Sequence, residues 1–431
     1  MLDPHLKVFA DRTELVTRED KPQIFPEGVP SPIAKERFQR IFTALQSGFL
    51  TGEIENCRTD PALVGEGDLN EAQRALLEEL VSSITSETGR ALLGLSVLQL
   101  CVKSIEPAQS VRLHKAGRGG KDFSWREGIP MRSLDKNFIT PALRHFGLLR
   151  LNADGFMMTR SLAENYPYSP FYKAAIRGGR AQWLALVEEL ESGKMSPLPA
   201  LRFLLSQMLN HAAVFETLAN ATLTALEQSK AKYQSVESAF DLISHHIDSS
   251  DYAARLMEIA MHSLMQAISE VEVLGDAVLS PLAQMRNANK KHGNVGDIEL
   301  TNNGQIIEAW DAKYGKSYLR DELEELSEKM GVHVQLEAAG FVCNIAPDLR
   351  KEILERQADM SELHNASIEI LTLREWVNRQ FERADAHPEL AWRWIVAYAE
   401  SLAQKRPQIA PIDEPCFVWL QGLQSVLSNE A

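Results

Sequence analysis

Cysteine is scarce in this chain of 431 residues: there are four, Cys57, Cys101, Cys343 and Cys416, far apart and never in a C-x-x-C pair. That spacing argues against a cysteine zinc site and against a disulfide framework, and leaves four buried thiols as the expectation. Long apolar runs are missing too. No stretch approaches the roughly 20 residues that a membrane-crossing helix needs, and the opening MLDPHLKVFADRTELVTRED lacks the basic-then-apolar form of a secretion signal. A cytoplasmic protein with no membrane partner is expected. There is no G-x-x-x-x-G-K-[ST] phosphate loop, which argues against an ATP-driven enzyme of that kind, and no repeat of fixed period, which argues against a solenoid. Positive charge is short overall: the formal net charge is -14, and duplex DNA attracts proteins mainly through Lys and Arg at its phosphates.

The deficit is uneven. Between Lys103 and Arg180 there are 14 Lys and Arg against 6 Asp and Glu, a local +8, so the remainder carries -22. That segment is a candidate polyanion surface on an acidic body. It begins with HKAGRGGKDFSWREG, a loop by its glycines, with basic residues and two aromatics. In the following RSLDKNFITPALRHFGLLRLNADGFMMTRSL, Ser133 or Asp135 is placed to cap a short helix that ends near Gly147. Two apolar runs, LLRL and FMMT, then flank the turn residues Asn152 to Gly155. A helix followed at once by a tight hairpin is the order of a winged helix-turn-helix. The candidate DNA contacts here are Arg112, Lys115, Arg118, Arg126, Arg132, Lys136 and Arg144, with Lys136 and Arg144 on the helix as the candidates for reading base edges.

Around this segment the first hundred residues read as helical after a Pro-rich lead-in, and 181–251 as a further helical set. The pattern changes after Tyr252. A long helical stretch leads to the polar loop NKKHGNVG, then DIEL, the turn TNNG and QIIEAWDAK. Asn-Gly between two short strands is among the strongest hairpin signals a sequence offers. The helical YLRDELEELSEKM, the strand GFVCNI, the helix PDLRKEILERQ, the strand IEILTL and the helix REWVNRQFE follow. The order is αβββαβ, except that the third β pattern comes after the second helix, with a further αβ beyond. The expected class is therefore α+β or α/β with several domains: 1–180 helical with a possible winged helix that reads DNA, 181–251 a helical connector, and 252–431 a mixed sheet flanked by helices. On a strand, side chains alternate faces, so Asp311 and Lys313 project to one side and Glu308 to the other.

Over roughly residues 252–385 this half resembles the PD-(D/E)XK nuclease superfamily, and in layout the type II restriction endonucleases. In that family an acid opens the second strand and the next strand carries an acid, one residue and a lysine; Asp297, Asp311 and Lys313 match those positions, with Gly296 where the nominal motif has proline. The resemblance implies a type II site-specific deoxyribonuclease that cuts double-stranded DNA in a bacterial restriction-modification system. It implies Mg²⁺ as cofactor, a homodimer by the symmetry of a palindromic target, and a cognate DNA methyltransferase in the same system. Hard carboxylate oxygens suit Mg²⁺; Asp297 and Asp311 are the expected ligands, and Glu299, on the face of Asp297, is the auxiliary one. Glu272 and Asp276 are candidate acids from the preceding helix. Lys290 and Lys291, beside His292, form a basic loop where a DNA backbone must pass. A repair or recombination nuclease that recognises DNA structure, and an inactive nuclease fold that only binds DNA, are the alternatives.

Overall fold

A computed structural model of the chain describes residues 3–282, 294–406 and 415–429, apart from 18–21, 64, 66–67, 84–88, 118–122, 150–153, 159, 175, 177 and 334. The fold is mixed α and β, and the chain divides into two compact units, Met1–Phe215 and Glu216–Ala431. The stretch expected as a connector is not a separate body; the boundary falls inside one long helix. Among the described residues no helix is long and apolar enough to cross a membrane, and all four cysteines are free and buried.

The first unit opens with a sheet where helices were expected. Strands β1 (His5–Val8), β2 (Arg12–Val16) and β3 (Gln23–Pro26) pair antiparallel in that order. Alternation explains it: Thr13, Leu15 and Val16 of β2 are buried while its polar neighbours are not. Helix α1 (Pro32–Gln46) starts at Ser31, whose hydroxyl accepts from the Ala34 N–H, with proline at the first turn. Helices α2 (Phe49–Thr59) and α3 (Glu71–Ser82) follow, the latter closed by an Asn70/Gln73 capping box. Helix α4 (Gly89–Ile105) is apolar nearly all round and forms the centre of the unit; its buried Gln99 accepts from the Trp183 indole at 2.9 Å and donates to the Val111 carbonyl.

The expected recognition helix is a composite. It runs α5 (Met131–Leu134), a π turn (Asp135–Ile139) and α6 (Thr140–His145), and stops at Gly147 with φ 66°. Asp135 is not a cap. It is buried in the π turn, accepting from the Thr140 hydroxyl at 2.6 Å and the Met157 N–H at 2.9 Å. That second bond corrects the expected hairpin: Phe156–Met158 is a 3₁₀ turn whose backbone pairs with a side chain instead of a strand, while 150–153 lie outside the described residues. The winged-helix expectation loses its wing. Helices α7 (Arg180–Glu191) and α8 (Pro197–Gln228) follow.

The second unit continues with α9 (Val236–Asp248) and α10 (Ala253–Glu270). Helix α10 ends earlier than its apolar pattern suggests, and Val278–Leu279 form a short strand, β4. Next come β5 (Ile298–Asn302), β6 (Gln305–Lys313), α11 (Arg320–Met330), β7 (Ala338–Cys343), α12 (Lys351–His364), β8 (Ser367–Thr372), α13 (Leu373–Arg383), α14 (Leu390–Leu402) and α15 (Cys416–Asn429). The sheet order is β4-β5-β6-β7-β8, antiparallel up to β6 and parallel beyond it. Asn303 and Gly304, at φ 50° and 78°, supply the two left-handed residues that a two-residue hairpin needs. One face of the sheet, with Ala309, Phe341 and Ile368, packs on Leu323, Leu326, Ile353 and Met360 of α11 and α12. On the other, Trp310 meets Trp376 of α13 edge to face.

Candidate active site

The site is built by the β5–β6 hairpin. Ile298 pairs with Trp310 and Glu299 with Ala309, and the Asp297 N–H donates to the Trp310 carbonyl at 2.9 Å, which sets Asp297 beside Asp311 at the mouth of the two strands. The approach is close. A Cβ on Gly296 would lie 2.7 Å from the Trp310 carbonyl oxygen and 3.0 Å from its nitrogen, so this backbone takes glycine.

Asp297, Asp311 and Lys313 come together as the strand alternation requires. Lys313 Nζ forms an ion pair with Asp311 Oδ2. Asp297 Oδ2 accepts from the Ala312 N–H at 3.0 Å, and its carboxyl hydrogen-bonds Asp311. Burial and the facing charges of Asp311 and Glu258 raise the Asp297 pKa well above the ordinary carboxylate range. The facing Asp311 and Glu258 carboxyls thus oppose ionisation of Asp297. Burial works against the Lys313 charge, but Asp311 and Asp297 outweigh it and hold the ammonium above the usual lysine value. The Lys313 ammonium also lies 5.7 Å from the centre of the Phe341 ring.

Glu258 of α10 is the residue that sequence reasoning missed. Its pKa is raised by burial first, lowered by its ion pair with Arg255, and raised again by Asp311. The helical acid beside the pair is thus Glu258, not Glu272 or Asp276, which are exposed beyond the end of α10. The only sequence signal was an i, i+3 Arg-Glu pair on an otherwise apolar helix face.

Glu299 shares the face of Asp297 but turns away from the pair. It is buried, and its Oε1 accepts from the Val295 and Gly296 N–H groups at 2.6 and 3.2 Å. Burial raises its pKa, opposed by those two donors. It holds the turn into β5, and the expectation of a metal ligand is corrected to that role. Glu308 faces the other side, bridging the Trp310 indole at 2.7 Å and Arg383 at 2.9 Å.

A recess of about 60 Å³ is lined by Asp311, Lys313, Phe341 and the α11 residues Glu322, Glu325 and Lys329. It is large enough for a few waters or a hydrated ion and too small for a base. No group of three or more His, Cys, Asp or Glu among the described residues is pre-arranged to hold a metal. The donor set nevertheless suits a hard cation that retains most of its waters, because two adjacent carboxylates are oxygen donors only.

The basic segment divides. Arg112 is 1 % exposed; its guanidinium makes a two-pronged pair with Glu188 at 2.7 and 2.8 Å and donates to the Tyr168 carbonyl. It cannot meet a phosphate, and its expected DNA contact is corrected to a structural one. Lys115 is half-buried, donating to Asn165 at 2.6 Å. Arg126, Arg132, Lys136 and Arg144 are exposed; Arg132 donates to the Met157 carbonyl and Lys136 pairs with Asp154 at 2.7 Å. Arg118, Lys290, Lys291 and His292 lie outside the described residues. No protein-family model matches the chain, and no curated protein matches it.

Proposed function

We propose that this chain is a metal-dependent endonuclease of double-stranded DNA, with a PD-(D/E)XK site in its second unit, and that it serves a bacterial type II restriction system. One observation carries the reading: a strand-borne D-x-K pair stands beside a second carboxylate at the mouth of the adjacent strand, all three polar heads converging next to a small recess. An ordinary surface ion pair does not draw a second carboxyl against it, because like carboxyls repel unless something uses both.

Asp297 and Asp311 would hold Mg²⁺ through carboxylate oxygens. Bound there, the cation supplies a Lewis acid for the phosphate and lowers the pKa of a water. Lys313, drawn towards the pair but limited to one of its partners at a time, would turn its ammonium to a phosphate oxygen or to the attacking water. Glu258, paired with Arg255, borders Asp311 on the helix side. The exposed arginines of the first unit support DNA as the polyanion, and cutting both strands of a palindrome favours a two-fold dimer.

Incubation of the purified chain with unmethylated phage DNA tests the proposal. Discrete bands are expected with Mg²⁺ or Mn²⁺, none with excess EDTA, and binding without efficient cutting in Ca²⁺, which accepts looser and longer coordination. A smear would favour recognition of DNA structure; undiminished cleavage in chelator would remove the two-carboxylate site.

A further inference from the structure

A recess with a chemistry of its own lies in the first unit. It has a volume of about 480 Å³ and is bordered by His114, Lys115, Phe123, Arg132, Lys136 and Asn137, with Pro130 and Met157 completing an apolar wall. That size is within the range of small-molecule pockets.

Its polarity changes with depth. Arg132 and Lys136 are exposed at the rim and Lys115 is half-buried, its ammonium 5.8 Å from the centre of the Phe123 ring. Burial lowers the Lys115 pKa and Arg132 lowers it further, against an opposing pull from Glu164; its ammonium donates to the Asn165 amide oxygen. Lys136 pairs with Asp154. Deeper, His114 is 2 % exposed and stacks on Tyr168 with ring centres 4.2 Å apart. Both of its ring nitrogens are closed off from solvent, with the backbone of Arg112 and Glu164 beside them. Burial and the neighbouring Lys115 pull its pKa down to about 3, against a weaker pull from the backbone of Arg112 and Glu164.

A rim of cations suits a phosphate. The wall of Phe123, Pro130 and Met157 suits a heterocycle. We infer that this pocket binds one nucleotide of a DNA strand, unstacked from its neighbours, with its phosphate between Lys115 and Arg132 and its base against Phe123. The inference rests on the reading of the chain as a DNA-acting protein and extends it. Target handling then has a base-sized site in the first unit, where the composite helix supplies Arg132, Lys136 and Asn137.

Calorimetric titration of the full chain, without divalent metal, tests it. The probes are the deoxynucleoside 5′-monophosphates, the free nucleosides and inorganic phosphate. Saturable binding of at least one monophosphate is expected, weakened about tenfold or more when base or phosphate is absent, as base stacking on an aromatic ring contributes on that scale. The same loss is expected for the Lys115→Ala/Arg132→Ala double variant, whose sites are at the surface, and for Ala163→Trp, which fills the pocket. Single-stranded DNA should displace the monophosphate. No saturation with any monophosphate, or equal affinity for phosphate alone, overturns the inference; saturation that DNA does not displace overturns the strand as the source and leaves a free nucleotide. A chain that binds monophosphates but never cuts DNA would sink the nuclease reading and not the pocket, whereas a cutting enzyme that binds none would sink the pocket alone.

Discussion

Lys313 in the second unit and Arg112 in the first start from the same expectation, a cation that meets a phosphate, and end in opposite surroundings. Lys313 pairs with an acid two residues away on its own strand and lines an open recess. Arg112 pairs with Glu188, 76 residues away on α7, and is sealed in. The difference teaches how positive charge should be read from a sequence. A local excess of lysine and arginine says nothing of where the partners are; an alternation that forces cation and acid onto one face does.

The comparison breaks most decisively at the site. Asp297→Ala, Asp311→Ala and Lys313→Ala are each expected to lower the cleavage rate by about 10²–10³-fold or more, with DNA binding and far-ultraviolet circular dichroism retained. Glu258→Gln should lose less than any of the three. Wild-type cutting by the Asp311 variant would end the assignment. Arg112→Ala sharpens the contrast from the other side. Removing this buried guanidinium from the part-exposed Glu188 and the Tyr168 carbonyl should destabilise the first unit by about 2 kcal/mol, measured by urea unfolding, whereas the exposed Arg144→Ala should stay within about 0.5 kcal/mol of wild type.

A third expectation concerns pH. His246 of α9 is buried between the Tyr398 hydroxyl at 2.8 Å and the Trp419 carbonyl at 2.9 Å. Burial pulls its pKa down to about 4, opposed by the Trp419 carbonyl and assisted by His245. Between the unfolded value, about 6.5, and about 4, the unfolded chain binds a proton that the folded chain does not. Stability therefore falls as pH drops through that window, by about 3 kcal/mol from this group. His246→Gln, which keeps a donor and an acceptor, should flatten that part of the curve in a chemical denaturation series run at successive pH values. The smallest effect is electrostatic. Arg126→Ala and Arg144→Ala should each reduce the slope of log affinity against log salt by about one unit if they sit on phosphates; unchanged slopes for both would take the exposed arginines out of the interface.

The β5–β6 hairpin was legible because Asn-Gly fixes the turn and period-two alternation fixes the faces, so Asp311 and Lys313 followed without tertiary information. So were the strands and helices up to α13, whose capping box at Thr372 and Glu375 stands in the sequence. Glu258 was not legible, because it comes from a helix 53 residues before Asp311 whose pattern speaks of packing alone. The three opening strands were hidden by their brevity and by Pro22 and Pro26, which read as a lead-in. The failed hairpin had two apolar runs and turn residues, but its backbone found Asp135 first. Glu299 had the right face, and two unpaired N–H groups nearby claimed it.

Gly296 carries a consequence for the freedom of this gene to vary. Its α-carbon is pressed against the Trp310 peptide, backbone on backbone, so no rotamer change can make room for a side chain. In a library randomised at that codon and selected for DNA cleavage, glycine should be the survivor, with alanine rare and proline absent. A search pattern that insists on proline before the first acid would pass this chain by, although it is the same crowding of two strand ends that brings the carboxyls of Asp297 and Asp311 together. The most constrained position of the hairpin is thus one with no side chain at all.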